Sequence, residues 1–140
     1  MRSIVKSFIL WLLVALAATT VWADSANLDR PDPATLDAYH PQEWSWVGVW
    51  DPGRTIPAGA TVTRVTVRWS TMGQHYSGMH LYLYNESGAG AFVGNNAPQR
   101  SFQGQQARQK WYVKFYVDRL EFPGNPLYVA PTLLLDYQVD

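Results

Sequence analysis

The sequence predicts an all-β fold, an antiparallel β-sandwich or jelly-roll-like arrangement of six to seven strands. Two observations carry that expectation. Beyond Gln42, stretch after stretch alternates with period two, and clusters of Gly, Pro, Asn and Asp separate the stretches. No helical periodicity interrupts them.

The chain opens with Arg2 and Lys6, an apolar run from Phe8 to Ala18, and the small-residue pattern Val21-Trp22-Ala23. That order is a secretory signal, so residues 1–23 are expected to be removed between Ala23 and Asp24, leaving a periplasmic or secreted protein. The run is short against the roughly 20 residues that span a bilayer, so no stable membrane insertion is expected after cleavage. The remaining 117 residues suffice for one domain with a real core. From Asp24 to Pro41 the chain holds three prolines and few large aliphatics, which predicts a flexible N-terminal arm ahead of a folded domain over 42–140.

The first strand signal places Trp44, Trp46, Gly48 and Trp50 on one face, and the three tryptophans are expected in the core. Gly48 within that face suggests a bulge or a close backbone approach. From Val62 to Ser70, Val65, Val67 and Trp69 oppose Thr66 and Arg68. Met79, Leu81 and Leu83 then alternate with His80, Tyr82 and Tyr84, up to a turn at Asn85-Glu86-Ser87-Gly88. The stretch from Gly88 to Gln109 reads as a long connection with a short strand or two, its core residues being Phe92, Val93 and Phe102. In the next strand Trp111, Val113, Phe115 and Val117 oppose Tyr112, Lys114 and Tyr116. Leu127 to Val129 and Leu133 to Val139 follow, with a break expected at Pro131.

Composition narrows the function. Loss of Arg2 and Lys6 with the leader leaves nine basic against eleven acidic residues, a net charge of −2. Nucleic acid is therefore not an expected partner, since it is bound through dense basic patches. The chain has no cysteine, which excludes thiol catalysis and thiolate-bound zinc. His40, His75 and His80 lack ligand spacing, no G-x-S-x-G elbow surrounds Ser77, and Asp118 and Glu121 read as turn acids. The protein is accordingly read as no enzyme, with no metal or cofactor.

The distinctive feature is a second aromatic face. Tyr82, Tyr84, Tyr112 and Tyr116 lie opposite the core side of two strands and are the candidate partner-binding residues. Tyrosine joins a large apolar ring to a polar tip, which suits a protein interface or, alternatively, a glycan.

From Val65 onward the chain resembles the flagellar FlhE family. The likeness lies in the order Val67-Arg68-Trp69, Gly78-Met79-His80-Leu81-Tyr82-Leu83, Phe102-Gln103-Gly104, Trp111-Tyr112-Val113-Lys114-Phe115 and Leu133-Leu134-Leu135-Asp136-Tyr137. It departs at Asn85 to Ala89, where enteric members carry a close cysteine pair. The resemblance implies a non-enzymatic periplasmic accessory of flagellar assembly that binds a flagellar component as a chaperone or a plug of the export apparatus. A weaker likeness joins Ile56-Pro57, Val62 to Val67 and His75 to Leu81 to the P-domain of proprotein convertases, with Met79 where that family has an acid. It implies a carbohydrate-binding or adhesion module instead.

Overall fold

The computed structural model describes residues 21–121 and 126–140. The expected signal therefore lies, up to residue 20, outside the described residues. Among the described residues eight strands form two antiparallel sheets: β1 (Trp22–Leu28), β2 (Leu36–Ala38), β3 (Gly48–Trp50), β4 (Thr61–Ser70), β5 (Tyr76–Asn85), β6 (Gly90–Val93), β7 (Trp111–Leu120) and β8 (Leu127–Val139). In the first sheet β8 is central, with β4 along one edge and β1 and β2 sharing the other. The second runs β3-β7-β5-β6. The all-β sandwich expected from the alternation is the observed fold.

The core is the sum of the inward rows. Leu127, Val129, Leu133 and Leu135 of β8 and Val62, Val65 and Val67 of β4 meet Leu81 and Leu83 of β5 and Trp111, Val113, Phe115 and Val117 of β7, all fully buried. Each row repeats every second residue because successive side chains of a strand point to opposite faces. Phe102 closes one end, its ring edge-on to Trp111 at 5.2 Å, and the Trp111 indole Nε1 donates to the Ala107 carbonyl at 3.0 Å.

Several expectations need correction. The segment read as a flexible arm supplies β1 and β2, both hydrogen-bonded to β8. It is short of large aliphatics, yet Ala26, Leu36 and Ala38 fall at buried positions and a few well-placed contacts suffice once a partner edge is offered. Gly48 makes room for it: a Cβ there would lie 2.7 Å from Leu36 Cδ2 and 3.0 Å from Pro31 Cβ, the close approach its place in a strand suggested.

The break expected at Pro131 is absent, and β8 runs through it for 13 residues. Opposite Pro131, Trp69 turns its own N–H and C=O away from β8, to the side-chain amide of Asn95. The Pro131 nitrogen consequently faces the other edge, where β8 passes between β2 and β1, so its missing donor costs the ladder nothing.

Trp44 and Trp46 are exposed, at 45% and 63%, while Trp50 is buried. The reason is one extra residue. Ser45 pairs with Phe115 and Gly48 with Val113, so three residues advance on this side while two advance on β7. The inward positions switch from odd to even as in a β-bulge, and Ser45 takes the inward place its tryptophan neighbours were expected to hold.

The connection after β6 also has structure. Residues 96–107 exchange backbone hydrogen bonds with β4 at Val62, Val65 and Val67 and with Ala60 just before it, which covers an edge that would otherwise stand open.

Candidate functional site

The outward faces of β5 and β7 carry the candidate site. Their register sets His80 opposite Tyr116, Tyr82 opposite Lys114 and Tyr84 opposite Tyr112, while Phe92 of β6 stands opposite Tyr82. All four predicted tyrosines therefore share one face, and each is half-buried. Tyr84 stacks on Tyr112 at 5.0 Å between centroids and on Tyr82 at 5.8 Å; Tyr82 meets Phe92 at 5.1 Å. Tyr116 joins through His80, stacked on it at 4.5 Å, and through Trp44, edge-on at 4.8 Å.

Trp44 is laid over this face by its neighbour. The Ser45 N–H donates to the Phe115 carbonyl at 2.7 Å, and the Ser45 hydroxyl accepts from the buried Phe115 N–H at 3.0 Å and donates to the Trp46 carbonyl at 2.8 Å. The bulge that carries Ser45 inward turns Trp44 outward, onto Tyr116 and parallel to Phe92 at 6.5 Å. At the other margin Gly90 leaves space for Tyr82, whose ring lies where a Cβ would stand.

One cation sits among the rings. The Lys114 Nζ lies 4.2 Å from the Trp44 ring centroid and 5.8 Å from that of Tyr84. His80 Nε2 meets both oxygens of Asp118, at 3.1 and 3.3 Å. Burial, then the neighbouring Tyr112 and Tyr82, push the Tyr84 hydroxyl above its ordinary value, so it stays a neutral donor.

The sequence reading found the tyrosines and missed Trp44, Phe92 and Lys114 as members. Phe92, expected in the core, is 55% exposed. Lys114 could have been included on the same alternation that selected Tyr112 and Tyr116; of the bulge that delivers Trp44 the sequence shows only Gly48 interrupting the tryptophan face, which does not say which side chains change sides. Of the other chemistry-bearing residues, His75 faces Glu121 at 3.4 Å, Ser77 is exposed, and His40 lines an open groove with Asp37, Tyr39, Glu43, Trp46 and Trp44, which borders the aromatic face. No three His, Asp or Glu side chains among the described residues converge as metal ligands would, and no helix among them is long and apolar enough to cross a membrane.

Neither a protein-family profile nor a curated protein matches the sequence significantly. A search of solved structures finds a crystal structure of FlhE, with a TM-score of 0.53 and 16% identity, covering 86% of this chain and 97% of that one. The chain has the FlhE fold. The likeness to FlhE read from the sequence order and the likeness of the backbones thus point to the same protein. The segments that carried the first lie in β4, β5, β7 and β8 and in the 102–104 turn against β4, which together make most of both sheets.

Proposed function

We propose that this chain is an exported, non-enzymatic accessory of flagellar assembly related to FlhE, which holds a protein partner on the face formed by Tyr82, Tyr84, Tyr112 and Tyr116 and acts as a chaperone or as a plug at the export apparatus. The observation that carries the reading is the correspondence with nearly the whole FlhE chain. The aromatic face supports it physically: a cluster of rings with Phe92 and Trp44 largely exposed is the kind of surface that interfaces enrich in. Export is read from the leader; cleavage after Ala23 would remove Trp22 and Ala23 from β1 and leave Asp24–Leu28 to pair with β8.

Deletion of the gene in its host, scored for swimming, swarming and misplaced flagella, tests the reading. A defect repaired by the wild-type gene in trans but not by a Tyr82→Ala/Tyr112→Ala double variant is the expected result. Normal flagella in the deletion strain would remove it.

A further inference from the structure

We propose that the segment docking on the aromatic face is an acidic stretch of a protein, whose carboxylate is received by Lys114. The inference rests on the partner-binding reading of that face and adds the chemistry of what binds.

Lys114 stands at the middle of the outward row of β7, between Tyr112 and Tyr116, with Tyr82 across the register and Trp44 beneath its ammonium. Any partner that covers the tyrosines must cover this half-buried charge as well. Among the described residues Lys114 takes part in no ion pair. Asp118, the acid at the His80 margin, is engaged by His80, and the Glu86 carboxylate accepts from the Lys110 backbone N–H at 2.6 Å. Glu43, adjacent to Trp44 in the chain, forms no ion pair with it either. An apolar or cationic partner would strip water from the ammonium and leave it without a counter-charge, a strongly unfavourable state. The rings attract the cation but offer its N–H groups no acceptor of hydrogen-bond strength.

The surrounding polar atoms agree in sign. The hydroxyls of Tyr82, Tyr84, Tyr112 and Tyr116 make no hydrogen bond to another described residue, and each can donate. On β7 itself Tyr112 and Tyr116 flank Lys114 in the outward row, so donors stand beside the ammonium and favour oxygen acceptors carrying negative charge. A protein segment fits better than a sugar. A neutral sugar could stack on the exposed rings of Phe92 and Trp44 but would bring no counter-charge to the Lys114 ammonium it covered.

The test uses two labelled synthetic peptides of one length and one apolar composition, carrying glutamate or lysine at alternate positions, titrated against the purified protein by fluorescence anisotropy. The glutamate peptide should bind and the lysine peptide should not. Lys114→Glu should reverse the preference, and Lys114→Met, which keeps the stem over Trp44, should weaken the glutamate peptide by about tenfold or more. Unchanged melting temperatures would show both variants folded. Equal binding of the two peptides, tighter binding of the lysine peptide, binding of neither, indifference to Lys114→Glu, or displacement of the glutamate peptide by chitotetraose would each overturn the proposal. The underlying reading fails separately: if Tyr112→Ala and Phe92→Ala leave the glutamate peptide bound while Lys114→Glu releases it, the charge is right and the aromatic face is not the site. If in the host the tyrosine variants lose motility and Lys114→Glu swims normally, the face stands and the acidic partner is wrong.

Discussion

Outside the sandwich, β8 presents Tyr128, Ala130, Thr132, Leu134, Asp136 and Gln138, whereas β5 and β7 present His80, Tyr82, Tyr84, Tyr112, Lys114 and Tyr116. Both rows suit strands, where Thr and Tyr are favoured. On the first sheet the outward side chains settle with each other as on an ordinary surface: Arg64 donates to Asp136 at 2.8 Å. On the second the rings pack on one another, yet among the described residues the tyrosine hydroxyls find no acceptor and the lysine ammonium no ion-pair partner. Strand propensity accounts for tyrosine being in these strands. It does not account for seven rings, His80 included, and a lysine gathered on one face, two of the rings delivered from outside β5 and β7 by a bulge and a neighbouring hairpin.

The contrast between inside and outside should be largest in stability. Trp111→Ala removes a fully buried indole and its hydrogen bond and should cost about 3–5 kcal/mol, read as a drop in the urea midpoint. An unchanged midpoint would overturn the assignment of the inward face. Trp69 is only half-buried, and its truncation should cost clearly less.

Ser45 links the two faces. Ser45→Ala leaves the buried Phe115 N–H without an acceptor, and a loss of about 1–3 kcal/mol is expected, with Trp44 fluorescence shifting as its anchor loosens. A silent substitution would mean that the hydroxyl does not set the bulge.

Smaller effects belong to the outer faces themselves. Tyr112→Ala should cost roughly 1 kcal/mol or less as a cross-strand pair, while abolishing partner capture. Destabilisation as large as for Trp111→Ala would show that this face is covered like the other. On the first sheet, Arg64→Ala should change stability by at most about 1 kcal/mol and leave partner capture untouched, since its ion pair is solvent-screened.

Alkaline pH gives an independent comparison. Tyr137 is buried beside Asp24, whose charge and hydrogen bond, after burial itself, hold the phenol above its ordinary value. The folded state keeps that proton longer than the unfolded chain, so the stability it contributes is whole below about pH 10 and is lost as pH rises through the folded value. Tyr137→Phe should flatten the alkaline limb of unfolding free energy against pH. A limb of unchanged slope would show that the fold does not hold the Tyr137 phenol above its ordinary value.

Period-two alternation determined the inward rows of β4, β5, β7 and β8 and the outward tyrosines, because a strand's side-chain periodicity is local and survives in the sequence wherever one face is buried. The tertiary structure decided what alternation does not encode. Whether Asp24 to Pro41 is an arm or two strands depended on the open edge of β8, supplied by residues far along the chain, and on the space above Gly48. The unbroken course of β8 through Pro131 depended on which edge its nitrogen faces, and so on Asn95 holding Trp69. The exposure of Trp44 depended on a single extra residue in its pairing with β7, which inverts the faces of everything before it. A one-residue register shift changes no residue type, only which side of the sheet each one meets, and that is set by the partner strand.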